Sequence, residues 1–256
     1  MLPCEKNVYV LKVNSWMTSE QYIKYKESLG VEDNYIDNKN NVIQFDGKTQ
    51  DSINSLSGSN IINSSISTSS LTRDQIMSVA YQYNNHKWYC SKQNYDGSKA
   101  ANPNWWQRPS FITSYNTYYY QVPYCWGGAH SLSEFDQKIN EGYAAGNVHT
   151  KDHYYVGGTA GVDCSGFVSK CWGIYDRWST YDIMKYRSQI NYNALQKGDV
   201  LCNSDHVMLF YKKDADNNYI VYESTKGGYD RVIHRARSKS EVEGIYGAYK
   251  CPFVAN

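Results

Sequence analysis

The sequence predicts an α+β fold, because helical patterns and short strands occupy different parts of the chain. A helix start with a capping pattern lies near Arg73, and a second helical repeat covers residues 164 to about 173. The C-terminal third is a run of short apolar segments, GDVLC, HVMLFY, YIVYES, RVIHRA and YGAYKC, with turn residues such as KKDADNN between them. A helical half followed by an antiparallel half is typical of the α+β class.

Composition and charge exclude strong electrostatic partners. The 256 residues carry 26 basic and 25 acidic side chains, so the formal net charge is +1 and no binding of nucleic acid is expected. No apolar run is long enough for a membrane span, and the first residues lack a basic start followed by an apolar run. We therefore expect a soluble monomer that is either intracellular or already without its secretion signal.

Three segments of the chain differ in composition. Residues 1–50 alternate short apolar stretches, VYVLKV and NVIQF, with polar turns and predict a small strand-containing extension of unknown role. Residues 51–70 are dominated by Ser and Asn, which predicts a linker. Residues 71–256 predict the main domain. Its first helix is followed by KWYCSKQNYDGSKAANPNWWQRPSF, for which we expect an irregular loop over a groove.

The cysteines and histidines do not form a recognisable metal motif. Seven cysteines are scattered without the paired CxxC spacing of zinc sites. The segment HTKDH places His149 and His153 at i and i+4, but no third ligand stands at a matching distance. We expect no metal and no cofactor. The sequence leaves open whether the thiols are bridged or reduced.

Cys164, in the segment GVDCSGFVSK, is the candidate nucleophile. The apolar residues of FVSKCWG repeat at helical spacing, which places Cys164 in the first turn of a buried helix with Asp163 at its N-cap. Free backbone N–H groups and the positive helix end favour a thiolate there and can receive an oxyanion. A structural buried cysteine has the same local pattern, so only a nearby base separates the two interpretations.

His206 is the candidate base, and Glu223 is the candidate residue that orients it. His206 opens the apolar strand HVMLFY, where its imidazole can lean over a helix N-terminus and take the thiol proton. Pairing of that strand with YIVYES across KKDADNN brings Glu223 to within a residue or two of His206. A third polar group of this kind fixes the tautomer of the ring. Ser224 and His234 remain alternative orienting residues.

Three ordered motifs, VPYCWGG, GVDCSGFVSKCWG and LQKGDVLCNSDHVMLFY, resemble the NlpC/P60 superfamily of papain-like cysteine peptidases, which cleave peptide bonds in bacterial peptidoglycan. The resemblance covers about residues 71 to 253. It implies N-terminal helices packed on a central antiparallel sheet, with Cys164 as nucleophile and His206 as base. It further implies that Tyr124 lines the active site and assists the cysteine region. The expected protein is secreted or associated with the cell wall and takes peptidoglycan peptides as substrate.

The chain departs from the family pattern in two places, and other functions stay open. The third catalytic residue of the family is most often histidine, so Glu223 is a variant. The family has a short connection between WGG and DCSG, whereas this chain inserts residues 129–160, which we expect to roof the groove. One alternative is an acyltransferase or protein-modifying effector with the same triad. Another is a wall-binding module with an inert thiol, which 26 tyrosines and 7 tryptophans would suit.

Overall fold

The α+β prediction is confirmed by a computed structural model, in which helices accompany a central antiparallel sheet. The structure describes residues 34–36, 42–44, 71–150, 155–174 and 177–254. The helices are α1 Arg73–Asn85, α2 Lys92–Asp96, α3 Leu132–Asn140, α4 Cys164–Cys171, α5 Thr180–Tyr186 and α6 Lys239–Val242. The strands are β1 Asn34–Ile36, β2 Val42–Gln44, β3 Lys87–Cys90, β4 Thr117–Tyr120, β5 Ala144–Ala145, β6 Thr159–Ala160, β7 Gln189–Ile190, β8 Val200–Cys202, β9 Val207–Lys213, β10 Tyr219–Thr225, β11 Arg231–Arg237 and β12 Gly247–Tyr249.

The central sheet contains the five strands that the C-terminal third predicts. Its six strands follow the order β11-β10-β9-β8-β12-β7, and each neighbouring pair is antiparallel. The hairpin of β9 and β10 places Tyr222 opposite Leu209, with a register shift between Ile220 and Val221. This hairpin returns the chain to the start of β9, where His206 stands.

Both faces of the sheet are buried. Successive side chains of a strand point to opposite faces, so each strand supplies two sets of core residues. The face that α1 and α4 cover contains Val200, Val207, Leu209, Tyr222 and Val232. The other face contains Leu201, Met208, Phe210, Tyr219 and Val221, which pack with Val242 of α6. A charged side chain in this sheet must therefore find partners inside the protein.

Helix α1 begins where its capping pattern predicts. The Thr72 side chain accepts a hydrogen bond from the backbone N–H of Gln75, and the Gln75 side chain accepts one from the Thr72 N–H. The sequence predicts an apolar stripe at helical spacing, and its members are buried except for the half-buried Val79: Ile76, Val79, Ala80 and Tyr83. The helix therefore begins through local hydrogen bonds and is held by its apolar face.

The predicted loop after α1 is wrong for residues 87–96. Strand β3 pairs with β4, with Lys87 opposite Tyr120, and α2 follows with a capping box between Ser91 and Asn94. The buried Asn94 amide also donates to the carbonyl groups of Ile139 and Tyr143. The strand partner and these acceptors lie far along the chain, so the local sequence pattern does not reveal them.

Helix α4 has the start that the sequence predicts and is fixed at both ends. Near its start, Gly166 packs against the VPYCWGG segment so closely that an added Cβ would lie 2.1 Å from the carbonyl oxygen of Gly128. Just past its end, the buried Trp172 donates its indole N–H to the carbonyl oxygen of Gly198 at 2.8 Å. The helix belongs to the motif GVDCSGFVSKCWG and thus directly contacts both of the other two motifs.

Other expectations fall partly outside the described residues. In the N-terminal extension, NVIQF contains β2, which pairs with β1, while VYVLKV and the linker 51–70 lie outside. Cys4 also lies outside, and the six cysteines of the described segments are free thiols. Within those segments, no helix is long and apolar enough to cross a membrane.

We expect Gly166→Ala to destabilise the fold by about 2 kcal/mol, because the new methyl group would meet backbone that cannot move aside. In an exposed helix the same change would stabilise. Gly157→Ala is the matched control, since its added Cβ would meet only Ala101 Cβ, at 3.7 Å. Urea unfolding of both variants measures the difference. Equal stability of the two variants would contradict the close approach of α4 to Gly128.

Candidate active site

Cys164 is the first residue of α4, as the sequence predicts, and 6% of its surface is exposed. Asp163 is the N-cap: its Oδ1 accepts a hydrogen bond from the backbone N–H of Gly166 at 2.7 Å. The N–H groups of a first helical turn have no acceptor within the helix. Cys164 therefore lies at a helix end that favours negative charge.

Asp163 also holds the VPYCWGG segment against α4. Its carboxylate is 1% exposed, and Oδ2 accepts hydrogen bonds from the backbone N–H of Gly127 at 3.0 Å and from Arg177 Nη2 at 2.5 Å. Gly127 has φ 70°, a left-handed conformation that favours glycine. The sequence analysis missed Arg177, because no local pattern links it to Asp163. One buried carboxylate thus joins the helix, the turn and a guanidinium.

His206 lies at the start of β9, where Asn203 organises the preceding turn. The Asn203 side-chain oxygen accepts hydrogen bonds from the N–H groups of Asp205, at 3.0 Å, and His206, at 2.9 Å. Asparagine often stabilises turns in this way. The His206 imidazole lies close enough to the Cys164 side chain for the thiol to help raise the pKa of the ring, and its Nε2 lies 2.6 Å from Glu223 Oε2. Since Nε2 faces Glu223, Nδ1 is the nitrogen available to the thiol.

Two pKa values of this cluster are strongly shifted. Burial alone would lower the pKa of His206, but the interactions with Cys164 and Glu223 outweigh it and raise that pKa to about 9. Burial alone would raise the pKa of Glu223, but hydrogen bonds from His206 and Arg237 lower it to about 2. At neutral pH an imidazolium therefore lies between the thiol and a carboxylate.

Glu223 is fully buried and has more partners than the sequence analysis predicts. Besides His206, it accepts hydrogen bonds from Arg235 Nε at 2.7 Å and from Arg237 Nε at 3.0 Å and Nη2 at 2.9 Å. The alternation of RVIHRAR places Arg235 and Arg237 on one side of β11, which is the signal that could have identified them. The buried negative charge is thus surrounded by donors.

Tyr124 lies beside the same helix end. Its ring is buried, its main chain forms a bridge with Val162, and its N–H donates to the Asp230 carbonyl oxygen at 2.8 Å. Burial, followed by the negative charges of Cys164 and Asp163, raises the pKa of its hydroxyl. Tyr124 therefore remains a neutral side chain near the thiol.

The two alternative orienting residues do not contact His206. The buried Ser224 hydroxyl donates to the Val162 carbonyl oxygen at 2.7 Å, which joins β10 to the residue before Asp163. His234 stacks on Tyr222, with ring centroids 4.1 Å apart, on the sheet face opposite Glu223. Of the three candidates, the structure brings only Glu223 to the imidazole.

The insert 129–160 contributes to a different cavity. A cavity of about 290 Å³ opens beside Gly127 and Gly128, and the insert lines it with Ala129, His130, Glu134 and Tyr155. Cys164 and His206 are not among its walls. Residues 151–154, including most of HTKDH, lie outside the described part, within which no cluster of metal-ligating side chains occurs. A roof over the Cys164 groove stays a prediction.

We expect Glu223→Gln to lower the free energy of unfolding at neutral pH by about 3 kcal/mol, because two guanidinium groups would lose a buried counter-charge. The ionised carboxylate stabilises the fold above the pKa of an unfolded glutamate, near 4.5, and this contribution disappears as pH falls to about 2. Urea unfolding at several pH values should show the gap between wild type and variant narrowing across that window. A difference in unfolding free energy that stays the same at every pH would contradict stabilisation by the ionised Glu223 carboxylate.

The comparisons with known proteins assign no family. No protein-family model matches the chain, and no curated protein matches it. The functional assignment therefore depends on the cluster of Cys164, His206 and Glu223 and on the three sequence motifs that surround it.

Proposed function

We propose that the chain is a cysteine peptidase or amidase that hydrolyses peptide bonds in the stem peptides of bacterial peptidoglycan. One arrangement carries the chemistry: a single imidazole, His206, lies beside a thiol at a helix N-terminus, which helps to raise the pKa of the ring, and its Nε2 is 2.6 Å from a buried carboxylate. A nucleophile, its base and an oriented third group in contact are the requirements of covalent acyl transfer. The proposed fold is papain-like and of the NlpC/P60 type.

In the proposed first step, Cys164 Sγ attacks the carbonyl carbon of the substrate while its proton resides on His206 Nδ1. The tetrahedral oxyanion receives hydrogen bonds from the Cys164 backbone N–H and is assisted by Tyr124. The C–N bond then breaks, and His206 delivers its proton to the leaving amine. The product of this step is a thioester with Cys164.

In the second step, His206 accepts a proton from a water molecule that attacks the thioester carbonyl carbon. The C–S bond breaks, the acid leaves, and the thiol–imidazole pair is restored. Glu223 keeps the ring in the required tautomer through both steps, because its carboxylate accepts the Nε2–H and is itself fixed. No metal or cofactor takes part in this sequence of steps.

The substrate class is supported by sequence alone. The motifs VPYCWGG, GVDCSGF and the segment from Gly198 to His206 occur in the NlpC/P60 order, and the structure joins them around α4. The proposal places the protein outside the cell or at the cell wall, where its substrate is. An acyltransferase would use the same triad with a different acceptor, so product analysis distinguishes it from a hydrolase.

Cys164→Ala should abolish release of new amino groups from purified peptidoglycan while the protein stays folded, because the change removes the nucleophile and little volume. The control is Cys90→Ala, since burial raises the pKa of the Cys90 thiol to about 11 and no histidine hydrogen-bonds it in the described structure. Mass spectrometry of defined muropeptides identifies the bond that is cleaved. Wild-type turnover by Cys164→Ala would exclude the mechanism, and products bearing a transferred acyl group would favour the acyltransferase.

His206→Ala should reduce turnover by at least about a hundredfold, the usual scale of a general base. The matched control is His86→Ala, because His86 Nε2 lies 2.6 Å from Asp136 Oδ1 and forms a similar imidazole–carboxylate pair without a cysteine partner. The control should keep near-normal rates. Equal losses in both variants would show that removal of either half-buried histidine disturbs the fold, and would contradict a specific role for His206.

A further inference from the structure

The burial of Glu223 requires compensation beyond His206. The side chain has 0% exposure and comes from β10, which lies between β9 and β11 in the sheet. An ionised carboxylate in such a place is costly unless hydrogen bonds and opposite charges satisfy both oxygens. His206 contacts only Oε2. Oε1 depends entirely on other groups.

Those groups come from the neighbouring strand. In the β10–β11 register, Glu223 pairs with Ile233, Val221 with Arg235 and Tyr219 with Arg237. Directly paired residues share a sheet face, so both arginines lie on the face of Glu223 and reach back along the strand to it. Edge strand β11 thus supplies two cations to one carboxylate.

The two arginines act on the carboxylate differently. Arg237 makes a two-pronged contact: Nε donates to Oε1 at 3.0 Å, and Nη2 donates to Oε2 at 2.9 Å. Arg235 donates only to Oε1, at 2.7 Å, and its guanidinium lies 4.8 Å from the centre of the Tyr229 ring. A forked guanidinium contact fixes the plane of a carboxylate. Arg237 therefore sets the orientation of the oxygen that binds His206.

We propose that Arg237 and Arg235 are positioning residues of the active site: Arg237 fixes the plane of the Glu223 carboxylate, and Arg235 holds its second oxygen, so that Glu223 Oε2 stays aligned with His206. The role of this alignment in turnover rests on the proposed function. With these contacts, the active-site cluster grows from three residues, Cys164, His206 and Glu223, to five. The arginines supply the additional hydrogen bonds that a buried glutamate requires.

The surrounding charges agree with this role. The ionisable groups near Glu223 are His206 from the start of β9, Arg235 and Arg237 from β11, Tyr246 before β12 and, behind Arg237, Glu241 of α6. Only Glu241 among them adds negative charge, and it lies 3.6 Å from Arg237 Nη1, whereas Glu223 is bound by Nε and Nη2. Because the pKa of Glu223 is about 2 and that of His206 about 9, the carboxylate and the imidazolium are both charged between these two pH values.

Alkylation of Cys164 by iodoacetamide tests the proposal independently of any substrate. The rate depends on the thiolate that His206 supports, and mass spectrometry assigns it to the Cys164 peptide. Arg237→Lys keeps the charge but loses the fork, so the acidic limb of the rate profile should move to higher pH. Arg237→Gln also loses the charge and should move the limb further. Arg235→Lys should have the smaller effect, because it breaks one contact.

The matched control is Arg231→Lys, on the same strand, where the guanidinium lies 4.7 Å from the centre of the Phe111 ring and does not contact Glu223. It should keep the wild-type alkylation profile. On muropeptides, Arg237→Lys should lower kcat by roughly tenfold to a hundredfold with KM nearly unchanged. Circular dichroism checks that each variant is folded. If Arg237→Gln is unfolded, the alkylation profile of the charge-conserving Arg237→Lys variant tests the positioning role.

The outcomes separate this inference from the proposed function. Altered alkylation in the Arg237 variants supports the positioning role even if the wild type cleaves no muropeptide, in which case only the substrate assignment fails. The other outcome is that the wild type cleaves muropeptides, but the Arg235 and Arg237 variants match Arg231→Lys in both alkylation rate and kcat. This result would overturn the positioning role and leave the proposed hydrolase activity intact.

Discussion

A buried carboxylate is tolerated only when each of its oxygens has a donor, and the active-site arrangement depends on this constraint at two positions. Asp163 uses its oxygens to cap α4, hold the Gly127 turn and bind Arg177. Glu223 uses its oxygens to bind His206 and two arginines. The first carboxylate fixes the thiol, and the second fixes the imidazole. Each set includes partners from other elements, Gly127 for Asp163 and residues of two neighbouring strands for Glu223, so the site forms only when the domain is assembled.

The central sheet brings the Cys164 thiol and the His206 imidazole together. Helix α4 packs on strands β9 and β10, and His206 stands just before β9, at the end of the sheet near the helix N-terminus. Ser224 adds a direct link, because its hydroxyl binds the carbonyl oxygen of Val162 one residue before the N-cap. Glu223 and Ser224 are neighbours on β10 whose side chains point to opposite faces. One strand therefore both orients the base and fixes the start of the nucleophile helix.

The sequence predicts those parts of the fold that depend on local interactions. The capping box of α1, the N-cap of α4 and the five C-terminal strands have patterns within a few residues, and the structure contains them. Strand β3 and helix α2 were missed because their partners, β4 and the carbonyl groups of Ile139 and Tyr143, lie far along the chain. Glu223 was found through its hairpin, whereas Arg235 and Arg237 required the register of a further strand. Arg177 has no sequence signal toward Asp163 at all.

Burial alone does not distinguish Cys164 from the other described cysteines. All six are buried, and burial raises the pKa of the thiols at positions 90, 125, 171, 202 and 251. What Cys164 has in addition is a helix N-terminus and an imidazole that is already hydrogen-bonded to a carboxylate. Conversely, His86 and Asp136 form a similar imidazole–carboxylate pair, at the same 2.6 Å, without a cysteine partner in the described structure. A reactive thiol therefore requires both a cysteine at a helix N-terminus and an adjacent imidazole–carboxylate pair. In the described chain these two features occur together at Cys164.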